Sequence, residues 1–384
     1  MEKSKQYIDS LVPFRKELHK HPEVSGTEIQ TAKRVISFLE NYPPDELITG
    51  IGTTGIIAIF KSPKTGKTVL FRCELDALLI AESNTFKHRS LINGVSHKCG
   101  HDGHMAILCG LAAEFHHRKP ESGTVILLFQ PAEEDGSGAQ KVLMDPKFTS
   151  LRPDYVFALH NLPGFPLHQI VVKNETFTCA VNSIIIKLKG KTAHAGEPEK
   201  GINPALAIAT IIDQFNANIQ TDNTKENYCL ITPIYAKIGS KAYGVAAGAG
   251  EIHFTVRSDS NLQMRKIEVT LEKVAKSIAK AHHLKCKTKW TESFQANEND
   301  KTAVAFIRKA AIVTDFTLFE KEKPFTWGED FGLFTQHYPG AMFGIGAGIN
   351  TPALHNPDYD FPDEIIATGV AIFHEISKQI TNAN

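Results

Sequence analysis

The order of the apolar segments constrains this chain more than any other feature. Runs at 55–60, 68–72, 124–129 and 154–159 are short and continuously apolar or nearly so, which predicts buried strands. Between the second and third runs, residues 105–118 are long enough for a helix. Strand, helix, strand predicts a sheet containing parallel strands joined by crossover helices. A helix is also expected at 27–41. Thr27-Glu28-Ile29-Gln30 fits a capping box, and Ile29, Ala32, Ile36 and Leu39 recur at helical spacing. The pattern changes after about residue 180. A strand at 183–188 precedes a helix from Asn203-Pro204 to about 219, with Asn as N-cap and Pro at the first helical position. Strands follow at 228–234 and 251–257, then a helix at 261–283 and a strand at 285–290. In 251–257, Ile252, Phe254 and Val256 alternate with His253, Thr255 and Arg257. The order βαββαβ is that of a ferredoxin-like unit. Elements of the first kind return with a helix at 301–314, an apolar run at 341–345 and a closing helix from 363. The expected fold is therefore α/β, with one domain split by an inserted α+β domain: 1–181 and 295–384 around 182–294.

Composition narrows the function classes. Lys plus Arg and Asp plus Glu both number 42, so the chain lacks the excess positive charge of a nucleic-acid binder. No window approaches the roughly 18 uninterrupted apolar residues of a membrane helix. The start is polar and unlike a signal core. The six cysteines are scattered, which suits a reducing cytoplasm. The expected partner is a small-molecule substrate, with neither nucleic acid nor membrane. The unusual count is 17 histidines.

Cys99-Gly100-His101-Asp102-Gly103-His104 places several potential metal ligands or orienting groups within one short segment. Thiolate and imidazole both suit zinc, and glycine lets the backbone bend around an ion. In isolation the segment also reads as a polar helix start with Asp102 near the cap. Gln130-Pro131-Ala132-Glu133-Glu134-Asp135-Gly136 follows a strand. It reads either as a solvated turn or as adjacent carboxylates, one for a metal and one for a water. His160, His355 and the pair Glu74/Asp76 are each unremarkable alone. Together these groups closely follow expected strands, and open α/β sheets place their ligand site beyond the carboxyl ends of strands. A Cys, three His and a Glu exceed the needs of one tetrahedral zinc and suit two ions sharing a ligand.

Taken in order, these segments resemble the two-metal amidohydrolases and peptidases that include carboxypeptidase G, aminoacylase and peptidase T. Within that group the similarity is to the branch of hippurate hydrolase, indole-acetyl-amino-acid hydrolase and N-acetyl-diaminopimelate deacetylase. The matching stretches are Arg15-Lys16-Glu17-Leu18-His19-Lys20-His21-Pro22-Glu23, the segments at Cys99 and Pro131, Gly190-Lys191-Thr192-Ala193-His194-Ala195, Glu329-Asp330-Phe331 and Leu354-His355-Asn356-Pro357. The resemblance implies a mixed-sheet, metallopeptidase-like catalytic domain with an inserted ferredoxin-like lid or dimerisation domain. It implies two divalent ions, zinc or manganese, with cobalt and nickel also open. The implied ligands are Cys99, His101, Glu134, His160 and His355, with Cys99 as the bridge. Glu133 becomes the general base, and His194 reaches from the lid to stabilise the oxyanion, in some members from a partner subunit. Asp76, Asp102 and His104 stand behind the ligands. The implied reaction is hydrolysis of an N-acyl amino acid or a similar small amide, and a homodimer through the lid is expected.

The chain departs from the branch pattern at Glu74-Leu75-Asp76-Ala77-Leu78-Leu79, at Gly244-Val245-Ala246-Ala247 and at Pro198-Glu199. These positions bear on substrate contacts, so the acyl group and amine stay open. So do a dipeptidase or carboxypeptidase of the same superfamily, a binding protein without turnover, and a cysteine hydrolase using Cys99 and His101.

Overall fold

A computed structural model describes residues 2–222 and 228–382. The chain forms two compact units: Met1–Phe177, Asn297–Glu322 and Asp330–Asn384 in the first, Thr178–Ala296 and Lys323–Glu329 in the second. The second unit thus begins before residue 182 and takes in 323–329, which the sequence pattern gave to the first. Main-chain bonding explains this, since the Cys179 N–H donates to the Phe325 carbonyl at 3.0 Å.

The first unit is built on an eight-stranded sheet. Its order is Glu46–Ile51, Gly55–Lys61, Thr124–Gln130, Thr68–Glu74, Tyr155–Leu162, Gly340–Gly346, Ile170–Val172, Leu318–Glu320. The four central strands, from Thr124–Gln130 to Gly340–Gly346, run parallel. Their residues are buried nearly throughout, as expected for a sheet covered on both faces, and this is why they read as unbroken apolar runs. The crossover from Thr68–Glu74 to Thr124–Gln130 contains the helix His101–His117. That helix starts earlier than its apolar run suggested and is buried almost all round. It packs between Glu2–Lys20 and Ile365–Thr381. Burying a side chain such as Leu108 or Leu111 contributes about 1.5–3 kcal/mol.

The second unit has a four-stranded antiparallel sheet in the order Cys229–Ile238, Ala249–Ser258, Ala180–Lys189, Lys285–Phe294. Chain order and sheet order are those of a ferredoxin-like unit. One face holds Ile184, Ile186, Leu188, Ile252, Phe254 and Val256 in a core with the helices Ala205–Asn216 and Asn261–Ala281. No described helix is long and apolar enough to cross a membrane.

The capping box at Thr27 does not form. Thr27 Oγ1 donates instead to the Val24 carbonyl at 2.7 Å. Glu23, from outside the helix Ile29–Leu39, accepts from the Thr31 N–H at 2.7 Å and supplies the cap. The buried face also differs, because Ile29 is 55% exposed and Val35 is buried. Asn203 Oδ1 accepts from the Ala205 N–H at 2.9 Å, but the N-cap position falls on Pro204, one residue later than expected, and the helix runs Ala205–Asn216.

A buried charge network anchors the first helix. Arg15 donates to Asp102 at 3.2 Å and Asp360 at 2.7 Å. His19 Nδ1 lies 2.8 Å from Asp102 and Nε2 lies 3.1 Å from Glu82. The buried Lys98 ammonium donates to Glu82 at 2.6 Å, Asn84 at 2.8 Å and the Tyr359 carbonyl at 2.7 Å. Burial disfavours charged His19, but Asp102 and Glu82 outweigh it and push its pKa up to about 9. A raised folded-state pKa stabilises fully below the ordinary value near 6.5, and that contribution fades as pH rises through about 9. His19→Asn is therefore expected to lower the melting temperature most at pH 6, with a deficit that narrows toward pH 9.5. Thermal melts across that range check this, and a gap independent of pH contradicts it.

Candidate metal centre

The parallel strands place Glu74, Gln130 and His160 near their carboxyl ends, at one edge of the sheet. His160 lies inside the strand Tyr155–Leu162. Helix His101–His117 begins at the same edge. Its N-cap, Gly100, has φ +100°, and a Cβ there would lie 2.6 Å from Asn161 Oδ1. Glycine supplies both the left-handed turn and the room, which sets Cys99 and His101 against the strand that carries His160. Ala132, with φ +53°, turns the chain after Thr124–Gln130 so that Glu133 and Glu134 follow directly. His355 is also in the left-handed region at φ +65°, a conformation worth notice in a non-glycine residue. Its N–H donates to the Lys98 carbonyl at 2.8 Å, tying its loop to the residue before Cys99.

The side chains converge. Cys99 Sγ is 3.4 Å from His160 Nε2. His101 Nε2 is 3.9 Å from Glu133 and 3.8 Å from Glu134, and His355 Nε2 is 3.9 Å from Glu134. Donor atoms of Cys99, His101 and His160 lie within 4.8 Å of one another, as do those of Cys99, Glu134 and His355. Cys99 belongs to both sets. Glu133 is 5% exposed, so the turn after Gln130 is buried at its start and reaches solvent only from Glu134 to Ser137.

His101 Nδ1 donates to the Asp76 carbonyl at 2.9 Å, which directs Nε2 toward the carboxylates. That Nε2 is buried without a hydrogen-bond partner, as suits an atom that would ligate a cation. Burial disfavours charge on His101, but Glu74, Asp76 and Glu134 outweigh it and raise its pKa to about 10. The same carboxylates would favour a divalent ion, whose binding releases that proton. Burial and the nearby His104 push His160 down to about 3, which keeps it in the neutral form that ligates. Thiolate, imidazole and carboxylate donors thus fit two borderline-soft divalent ions.

Asp76 sits behind two of these donors. Its Oδ2 accepts from the Glu134 N–H at 2.9 Å and from Ser25 at 2.7 Å. Both ring nitrogens of His104 face oxygens, Glu74 at 2.6 Å and Asn161 at 2.6 Å, so His104 props the site instead of facing into it. Asp102 accepts from Arg15 and His19. His194 lies in the second unit, in a two-residue strand paired with Val245, and is exposed.

Several residues here have partners that the sequence alone does not reveal. Burial pushes Glu74 up, but Arg72, His104 and His101 outweigh it and hold it well below the usual carboxylate range. Arg72 also pairs with Asp330, which accepts from Gln130 and from the Ala139 N–H at 2.8 Å. Glu28 is fully buried and accepts from the Ala132 N–H at 2.8 Å, tethering the loop of Glu133. Arg15, His19 and Glu23 sit within the amino-terminal stretch that the resemblance singled out; the partners of Arg15 and His19 lie far along the chain, and Glu23 holds the start of the next helix.

Residues 70–379 match Peptidase family M20/M25/M40. The chain is 29% identical over 375 residues to an N-acetylcysteine deacetylase of Bacillus subtilis, covering 97% of both chains. It is 29% identical over 366 residues to the N-acetyldiaminopimelate deacetylase of that organism, covering 95% of this chain and 97% of the other. Among solved structures it resembles the Bacillus subtilis YXEP protein, described as a dinuclear metal binding peptidase from M20 family. There the TM-score is 0.84 at 27% identity, over 99% of this chain and 100% of that one. The aminopeptidase PepT of Bacillus cereus shares the fold, with a TM-score of 0.72 at 17% identity over 97% and 98% of the two chains. The chain belongs to Peptidase family M20/M25/M40.

Proposed function

We propose that the protein is a metal-dependent amidohydrolase that cleaves N-acyl amino acids or similar small amides. The observation that carries this reading is the pair of donor sets sharing Cys99, with Glu133 beside His101. Full-length similarity to two deacetylases supports the substrate class. Cys99, His101 and His160 would hold one ion and Cys99, Glu134 and His355 the other, zinc or manganese by donor chemistry. When bound, the ions supply Lewis acidity and lower the pKa of water.

Glu133 takes the proton from the attacking water and later delivers it to the leaving amine. Its near-complete burial keeps bulk water from competing for that proton. His194 supplies the oxyanion donor. Its Nδ1 accepts from the Gly196 N–H at 3.0 Å, which leaves the ring proton on Nε2, available to donate. Asp76, Asp102 and His104 hold the donors in place through the contacts described above.

The second unit acts as lid and as dimerisation surface. Its edge strand Cys229–Ile238 exposes Ile234, Tyr235 and Ile238, an apolar edge that a second copy would cover. The six cysteines are free thiols, in keeping with a reducing cytoplasm.

Metal-depleted protein reloaded with zinc or manganese is expected to release amine from N-acyl amino acids and to leave dipeptides largely intact. A panel with the opposite preference, or activity that survives chelation, contradicts the assignment. Glu133→Gln and His194→Ala are each expected to keep two ions per chain while turnover falls about 100- to 1,000-fold or more. Metal analysis beside single-turnover rates checks this, and full activity at full metal content in either variant removes that residue from the mechanism.

A further inference from the structure

The open face of the second unit's sheet carries charge that the hydrolase reading does not use. A groove of about 1030 Å³ there is lined by Lys187, Lys189, Lys191, Lys237, Lys285 and Lys287, with Glu251 as the only carboxylate. The register orders them. Lys237 is opposite Glu251, Glu251 opposite Lys187, and Lys187 opposite Lys287, forming one row across four strands. Lys189 is opposite Lys285 in the next row. Only Lys187 among the six has an ion-pair partner among the described residues, Glu251 at 3.2 Å, and His253 shares that carboxylate at 2.6 Å.

Like charges placed directly opposite on neighbouring strands are destabilising. Lys187 with Lys287 and Lys189 with Lys285 are two such pairs side by side. A chain with zero net charge has acidic residues to spare for these positions, yet it concentrates cations there. Glu251 answers Lys187 alone, and a local rule left uncompensated at the other lysines points to a ligand that compensates it.

We infer that this groove binds a compact anion carrying several phosphate groups. Strands lie about 4.8 Å apart, so the row from Lys237 to Lys287 spans about 14 Å, enough for several linked phosphates. Ammonium groups act as point charges and reward charge density, whereas bidentate carboxylate recognition favours arginine, which is absent from the lining. The lining also holds no aromatic ring on which a base could stack, which disfavours single-stranded nucleic acid.

The test is calorimetric titration of the full chain with inorganic triphosphate, beside citrate, a single-stranded oligonucleotide and polyglutamate. One triphosphate per chain is expected, with citrate at least tenfold weaker and affinity falling as salt rises. Lys285→Glu/Lys287→Glu is expected to weaken triphosphate at least tenfold. It should also raise the melting temperature of the ligand-free protein, because each like-charge pair becomes an opposite one. Lys285→Gln/Lys287→Gln gives the same loss with a milder change. Lys266→Glu/Lys273→Glu, on the helix Asn261–Ala281, is expected to bind normally. Absence of saturable binding, an equal loss in the helix variant, or tighter binding of the oligonucleotide or polyglutamate overturns the proposal.

Discussion

A Cβ on Gly100 would lie 2.6 Å from Asn161 Oδ1, and the residue's φ of +100° is one that L side chains rarely adopt. This close approach of a helix start to a strand governs the candidate centre. It sets Cys99 and His101 at the carboxyl edge of the parallel strands, within reach of His160, Glu133 and Glu134. Asn161 receives His104 on its amide oxygen and donates to Tyr359, so the same contact braces the helix from behind. Moving the helix start by the width of a methyl group would open the Cys99–His160 approach and separate the donor sets that share the thiol.

The second constraint is electrostatic. Glu74, Asp76, Glu133, Glu134 and Asp330 cluster around a few cationic partners in a nearly dry interior, where unpaired charge is costly. Arg72 answers Glu74 and Asp330, while Arg15 and His19 answer Asp102. The carboxylates facing His101 are the ones a divalent cation would complete. Zero net charge therefore conceals strong local separation. Acid gathers at the sheet edge of the first unit and lysine gathers on the open face of the second.

Much of this was legible in the sequence, for physical reasons that also mark the boundary. Strands buried on both faces must be continuously apolar, so Thr68–Glu74 and Thr124–Gln130 stood out. The alternation of Ile252, Phe254 and Val256 gave away a sheet with one covered face. The start of helix His101–His117 was legible only as one of two readings of a polar segment, because its first turn is polar yet buried at once. Asp102 Oδ2 and the His104 ring are bonded by Arg15, His19, Glu74 and Asn161, partners that periodicity cannot reveal. The same limit hid the roles of Glu23 and Glu28. Thr27 offered a local cap, yet a carboxylate four positions earlier took that place, and Glu28 turned inward to hold Ala132. The donor residues themselves were legible because Cys, His and Glu clustered just beyond expected strands. The lysine rows were not, since they exist only once four separate strands are in register.

The central claim is that Cys99 is common to both donor sets. Metal content by plasma emission spectrometry, on wild type and Cys99→Ser dialysed against the same zinc buffer, tests it most directly. The account predicts two ions per chain in the wild type and loss of both in the variant at a zinc concentration that saturates the wild type. Retention of one fully occupied ion in Cys99→Ser would contradict a shared thiolate.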